Sequence, residues 1–237
     1  SIRLPASCNN LVGLKTTPGL ISRSGMSPLV IFQDSPGPMC RTVEDLARVL
    51  DVIVGFDAKD PFTSSALISG RSNYFDSIGF EAFEGRRVGV LRQVIDDSQG
   101  NEGDSIKILI NNALNDIVSL GATLVDVEIS DLEHYLELTS LYTIRSKHDI
   151  NNFLAVRHTP VGTVEEIYKT KQYHPSLELF EMLATGPDFP EEEHDYLQRY
   201  LAREQFQRLI LNEMGEKNVD VMVYPTTRIP APSRSDL

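Results

Sequence analysis

Two stretches, Arg87-Val88-Gly89-Val90-Leu91 and Thr123-Leu124-Val125-Asp126-Val127, decide the fold class. Both are short runs rich in aliphatic and β-branched residues, the composition of buried strands. Between them Ile106, Ile110, Ala113, Leu114, Ile117 and Val118 recur at the spacing of an amphipathic helix, and Gly121 ends the run. Parallel strands need a crossover connection, and that crossover is usually a helix lying on the sheet. The stretch therefore reads as a βαβ unit. The expectation is an α/β fold, with a parallel or mixed β-sheet covered by helices.

Upstream, Thr42 opens a second helix. Val43, Leu46, Ala47, Leu50, Ile53 and Val54 keep helical spacing until Gly55, and Thr42 with Asp45 has the form of a capping box. The first forty residues are rich in Gly, Pro, Ser and Thr, and read as short strands and tight turns rather than helix. Asp60-Pro61 marks a further turn. Downstream, residues 131–215 read as mainly helical, with one stripe through Leu132, Tyr135, Leu136, Leu141 and Tyr142. Another runs through Leu197, Tyr200, Leu201, Phe206, Leu209 and Ile210. Pro160, Pro175, Pro187 and Pro190 divide the region between them. Val221-Met222-Val223-Tyr224, closed by Pro225, returns as a strand. There is no internal repeat.

The 237 residues hold 22 Lys and Arg against 34 Asp and Glu, a net charge of −12. That balance lacks the basic footprint of a nucleic-acid binder. With 41% hydrophobic and 24% charged residues the composition is globular, and its apolar runs fall short of the ~20 residues of a membrane span. Two cysteines, Cys8 and Cys40, are too few for a disulfide framework and point to reduced thiols and a cytoplasmic setting. Ser1 opens with neither methionine nor a signal-like segment, which suggests a piece of a longer polypeptide.

Phosphate-cradle, dinucleotide and zinc-protease motifs are absent, so no cofactor is expected. The five histidines show no metal-ligand spacing. His194 beside Glu191-Glu192-Glu193 reads as a solvated helix start, where acids favour the dipole. No metal site is expected.

Four segments fall in order at the start of the chain. They are Ser1-Ile2-Arg3-Leu4-Pro5-Ala6-Ser7, Gly13-Leu14-Lys15-Thr16-Thr17-Pro18-Gly19, Gln33-Asp34-Ser35-Pro36-Gly37-Pro38-Met39 and Arg41-Thr42-Val43-Glu44-Asp45. Together they resemble the amidase signature family, serine hydrolases and transferases acting on carboxamides. The likeness is strongest over residues 1–61 and is closer to the small-molecule amidase branch. A weaker likeness extends to Lys147-His148-Asp149-Ile150-Asn151-Asn152-Phe153-Leu154 and to Asp220-Val221-Met222-Val223-Tyr224-Pro225-Thr226. Thr16 stands where the family usually has proline. Asn10 occupies a common glycine position, where asparagine can take the left-handed conformation.

The resemblance implies residues 1–237 as part of an amidase-signature domain, with its N-terminal part and C-terminal end lying outside. Residues 131–215 would then form a helical, substrate-side layer. It also implies a Ser–cis-Ser–Lys triad whose nucleophile is Ser1, forming an acyl-enzyme from a small amide. The lysine, the second serine and the oxyanion donors of that motif precede Ser1, so the chain alone should be inactive and should expose apolar edges. Lys15 belongs to the Gly-Leu-Lys run and reads as a packing or hydrogen-bonding residue, not the base. Arg3 is expected to support the nucleophile loop, and Gln33 and Asp34 either approach the site or stabilise a turn. Cys8 reads as a small buried hydrophobe, and Lys147-His148-Asp149 as a solvated helix face. The implied partner is a small-molecule amide; a homo-oligomer is compatible with the sequence, and a nucleic acid is not expected.

Three other readings stay open from the residues. The chain fits an amidotransferase of the A type that works on acylated tRNA. Ser1 is also compatible with an N-terminal nucleophile using its own amine as base. A binding-only homologue is the third. Gln33-Asp34 before Ser-Pro-Gly-Pro, and Asp60-Pro61 without a following Ser-Thr-Ser, favour the small-molecule amidases.

Overall fold

The computed structural model describes residues 2–69, 73–96, 100–157 and 159–231. In chain order the elements are α1 (Arg3–Cys8), β1 (Val12–Gly13), β2 (Met39–Cys40), α2 (Val43–Ile53), α3 (Ser64–Ser69), β3 (Arg87–Leu91), α4 (Arg92–Asp96), α5 (Gly100–Ser119) and β4 (Thr123–Val127). There follow α6 (Leu132–Leu138), α7 (Tyr142–Ala155), α8 (Val164–Lys169), α9 (Glu178–Ala184), α10 (Tyr196–Lys217) and β5 (Val221–Val223). They fall into two compact units. The first comprises residues 1–22, 36–130 and 208–237, and the second residues 23–35 and 131–207.

The βαβ reading holds in the first unit. β3 pairs in parallel with β4, Val88 opposite Leu124, and in parallel with β5, Val88 opposite Val221. The sheet order is β4-β3-β5, and α5 joins β3 to β4. Flanked on both edges, β3 buries Val88, Val90 and Leu91. Each such side chain contributes about 1.5–3 kcal/mol by leaving water. Val90, Ile95 and Leu114 form a core cluster, with Ile110, Leu124 and Val223 packed against it. Arg87 ties the start of β3 to the end of α10, donating to the carbonyls of Asn218 at 2.7 Å and Lys217 at 3.1 Å.

The helix at Thr42 also forms as its sequence predicts. The Asp45 N–H donates to Thr42 Oγ1 at 3.0 Å, and Leu46 and Leu50 join Ile21 and Val54 in a second core cluster. β1 and β2 make a small antiparallel ribbon beside it. Asn10 has φ of 53°, the left-handed conformation expected there. At Asp60-Pro61 the Phe62 N–H donates to Asp60 Oδ1, and buried Thr63 donates to the carbonyls of Asp57 and Asp60. α1 departs from the expectation of strands and turns over residues 1–40. A six-residue helix carries little periodicity, and Pro5 sits in its first turn, where a missing N–H costs nothing.

The second unit is helical. The stripe from Leu132 to Tyr142 is split between α6 and α7, because the chain turns at Thr139–Leu141. Thr163 caps α8 by accepting from the Glu166 N–H at 3.1 Å. Gly186 lets its loop close on α7, since a Cβ there would meet the Thr143 carbonyl oxygen at 2.4 Å. Leu197, Tyr200 and Leu201 of the α10 stripe are exposed, as are Val52 on α2 and Val221 on the edge strand β5. No helix of the described residues is long and apolar enough to cross a membrane.

Two glycines test this packing in opposite directions. A Cβ at Gly89, in the middle of β3, would lie 2.9 Å from Val127 Cγ2 and 3.2 Å from Val219 Cγ2. Gly89→Ala should cost about 1–3 kcal/mol by overpacking. Gly215, in α10, has open space around it, and Gly215→Ala should stabilise by about 0.5–1 kcal/mol. Denaturant midpoints with unchanged slopes would measure both.

Candidate functional site

Ser1 lies outside the described residues, so the site is described from Ile2 onward. Ile2 precedes the first turn of α1, and its carbonyl accepts from the Ala6 N–H at 3.0 Å. Two glycines let the backbone close around Ile2. A Cβ at Gly13 would meet Ala6 Cβ at 2.6 Å and Ile2 Cγ2 at 3.3 Å. A Cβ at Gly37 would meet the Leu14 carbonyl oxygen at 1.8 Å and Ile2 Cδ1 at 3.0 Å. Only glycine fits there. Thr16, 3% exposed, donates its hydroxyl to the Pro36 carbonyl at 2.9 Å. The Leu14 N–H donates to the Pro38 carbonyl at 3.1 Å. The Gly-Leu-Lys and Ser-Pro-Gly-Pro segments are thus bound to each other, beneath the residue that follows Ser1.

Lys15 is exposed, and its Nζ donates to the Thr16 carbonyl at 3.1 Å, the hydrogen-bonding role expected of it. Arg3 is exposed, with no hydrogen bond to a described residue, so the support expected of it falls instead to Ile2 and the glycines. Cys8 is exposed rather than buried, because the buried side of the short α1 is taken by Ala6. Both cysteines are free.

In the second unit, Asp34 staples a turn, its Oδ2 accepting from the N–H groups of Leu29 at 2.7 Å and Val30 at 2.9 Å. Gln33 Oε1 accepts from Arg203 Nη1 at 2.8 Å. The larger correction concerns α7. Lys147 and Asp149, expected on a solvated face, are 8% and 5% exposed, beside buried Arg145 and Ser146. They are inside because each is neutralised, Lys147 by acids from distant segments and Asp149 by Arg145 on the same helix. Lys147 Nζ reaches Glu165 and Asp188, each at 2.7 Å, and donates to the Gly186 carbonyl at 3.1 Å. Asn151 adds a bond to Glu165 and accepts from the Val164 N–H at 2.8 Å. Arg145 reaches Asp149 at 3.1 Å, Glu191 at 2.9 Å and the Tyr196 hydroxyl at 2.7 Å, with its guanidinium 4.5 Å from the Phe32 ring centre. Asp149 also accepts from the Ile31 N–H at 2.8 Å.

This arrangement fixes charge states. Burial opposes a charge on Lys147, but its bonds to Asp188 and Glu165 outweigh that and hold it above the ordinary lysine value. It stays protonated and is no general base. Burial likewise opposes ionisation of Glu165, yet the bonds from Lys147, its own backbone N–H and Asn151 bring its pKa down to about 2. Burial raises the Asp149 carboxyl, against the pull of the Ile31 N–H and Arg145. The cluster is a clamp rather than a reacting centre. Sequence reasoning missed Arg145, Glu165, Asp188, Glu191 and Tyr196. Only the Arg145–Asp149 pair, four apart on one helix, carried a local signal. His194 is exposed, and Glu191 and Glu192 are exposed acids in the first turn of a short 3-10 helix, Pro190–Glu192, as expected, with Glu191 also binding Arg145. Among the described residues no group of His, Cys, Asp and Glu could hold a metal ion.

The model of the Amidase family matches residues 1–237, which takes in both units. The chain belongs to the Amidase family. Within the family it is 32% identical over 232 residues to a protein named amidase from Pseudomonas putida, covering 98% of this chain and 45% of that protein. It is 29% identical over 241 residues to the A subunit of glutamyl-tRNA(Gln) amidotransferase from Myxococcus xanthus, covering 98% and 48%. Its structure resembles that of PAM12A with a TM-score of 0.77 at 27% identity, covering 99% of this chain and 51% of the other. The chain spans about half the length of the family members it matches.

Two measurements probe the clamp. Asp149→Ala leaves Arg145 buried with half its counter-charge and deprives the Ile31 N–H of its acceptor, and should destabilise by about 3–5 kcal/mol in urea unfolding. Glu165 has a folded pKa below its ordinary 4.5, so its contribution is present above pH 4.5 and is lost as the pH falls toward about 2. The Tm of Glu165→Gln should therefore fall less than that of the wild type between pH 5 and pH 3.

Proposed function

We propose that the full-length protein containing these residues hydrolyses carboxamide C–N bonds through an acyl-enzyme on Ser1. The Ser1 hydroxyl attacks the amide carbonyl, and its proton passes through a second serine to a neutral lysine. The C–N bond breaks, the amine or ammonia leaves with that proton, and an ester to Ser1 remains. Water then cleaves the ester and restores the serine. Backbone N–H groups before Ser1 hold the oxyanion, each such donor typically contributing roughly 3 kcal/mol.

The match of the whole chain to the Amidase family carries this reading, with the Ser1-Ile2-Arg3 motif at its start. The packing of the next residue supports it. Ile2 is confined by Gly13 and Gly37, and a nucleophile must be held still to profit from orientation. Two lysines also support a base elsewhere: Lys147 is held protonated, and Lys15 is exposed on a carbonyl. On this reading the lysine and the second serine precede Ser1 in the full-length protein, as the family motif implies.

The amidotransferase reading is favoured by the relative from Myxococcus xanthus. We place it second, because Gln33-Asp34-Ser35-Pro36-Gly37-Pro38 and Asp60-Pro61 look like the small-molecule amidases. Assay of the full-length protein with simple amides, without added partners, separates the two. Turnover of those amides is expected. Strict dependence on an acylated tRNA would replace the amidase reading with the amidotransferase one. Ser1→Ala should lower kcat/KM by at least about 10³-fold and abolish labelling by a fluorophosphonate; unchanged labelling would remove Ser1 as nucleophile.

A further inference from the structure

Along one side of α10, Tyr196, Arg199, Tyr200 and Arg203 follow at spacings of three and four residues, and each side chain meets another part of the second unit. Tyr196 receives Arg145, and Arg199 pairs with Asp195 and donates to the Glu137 carbonyl at 3.1 Å. The Tyr200 ring lies 5.3 Å from that of Phe32, edge to face. Arg203 is different. It is half-buried, and among the described residues its one hydrogen-bond partner is the neutral amide of Gln33, at 2.8 Å.

A guanidinium has five N–H donors, and Gln33 takes one of them. Charges taken from water are ordinarily paired, and the buried cations of this unit obey that rule. Arg145 and Lys147 each hold two carboxylates. In a chain of net charge −12, an arginine with no carboxylate among the described residues is not explained by a shortage of acids. Burial pulls the Arg203 guanidinium below the ordinary arginine value, and the nearby phenols of Tyr200 and Tyr142 act the other way. Those rings are both partly open to solvent, so the charge has an exit.

We propose that Arg203 is the anchor of a carboxylate-binding site, in which an organic carboxylate supplies the counter-charge that the described residues do not. Gln33 orients the guanidinium through Nη1 and leaves the Nε–Nη2 edge for a two-bond contact, the geometry in which arginine and carboxylate match best. Tyr200, three residues before Arg203 on the same helix, sets an aromatic ring on the same face, which suits an aryl or otherwise apolar body behind the acid. The site does not depend on the assignment of Ser1.

The test uses the full-length protein with benzoate as probe and benzyl alcohol, which has no amide to cleave, as its neutral counterpart, followed by calorimetric titration. Benzoate should bind at least tenfold tighter than benzyl alcohol. Gln33→Glu places a carboxylate against Arg203 from within, so it should weaken benzoate at least tenfold and raise the Tm, leaving benzyl alcohol unchanged. Arg203→Met should lose the same preference, and Ser1→Ala should keep it. If Arg203→Met fails to fold, Gln33→Glu still decides. Equal binding of benzoate and benzyl alcohol by the wild type, or benzoate binding that Gln33→Glu leaves intact, overturns the proposal. Loss of benzoate binding in Ser1→Ala would assign the probe to the reacting site and overturn it as well.

Discussion

A charge withdrawn from water must find its opposite inside the protein, and the helical unit is assembled around that requirement. Arg145 and Lys147 sit two residues apart on α7, too close to be served by local acids alone. Their counter-charges come from Glu165, Asp188 and Glu191, far along the chain, as well as from Asp149. Satisfying two cations therefore places α8 and the 186–191 segment. The Asp149 bond to the Ile31 N–H draws in residues 29–34 by the same means. Removing a partner of buried Arg145, Lys147 or Asp149 leaves that group charged and out of water, so these pairs are costly to break.

The first unit depends on a different constraint, close approach of backbones. β3 is covered on both edges, so its side chains are confined and Gly89 has no room for a methyl group. At the N-terminal end the same device recurs with Gly13 and Gly37, and Gly37 brings the Leu14 carbonyl within reach of its own α-carbon. Hydrogen bonds from Thr16 to Pro36 and from Leu14 to Pro38 hold that contact shut. A short helix such as α1 would not persist by propensity alone. It persists because Ala6 and Ile2 are wedged against these glycines.

What the sequence reveals divides along the same line. The strands and helix of the βαβ unit, α2 with its Thr42 cap and the Asp60 turn are legible, since each element is announced by its own composition and spacing, and left-handed Asn10 by its place in the family motif. The buried face of α7 is not. Lys-His-Asp reads as solvated because such residues are seldom buried unless paired, and the pairs lie 18 to 46 residues away. Cys8 and α1 fail for a related reason, as a single turn of helix leaves no period to read. Arg203 and Gln33 are 170 residues apart, and nothing local announces their meeting.

These two kinds of constraint bear on the chemistry in opposite ways. A lysine able to take a proton from serine must be neutral, which requires desolvation without a carboxylate to restore the charge. Lys147 has the desolvation and also has Glu165 and Asp188, and the latter prevail. The acids that let α7 enter the core are thus what disqualify its lysine as a base. The packing around Ile2 has no charge to settle and imposes only position. It fixes the backbone at Ile2 through Gly13 and Gly37. Arg203 is the point where the ionic rule is left incomplete among the described residues. A cation held there by a neutral amide, at a partly open face, is the feature of the helical unit most suited to reading an anionic ligand.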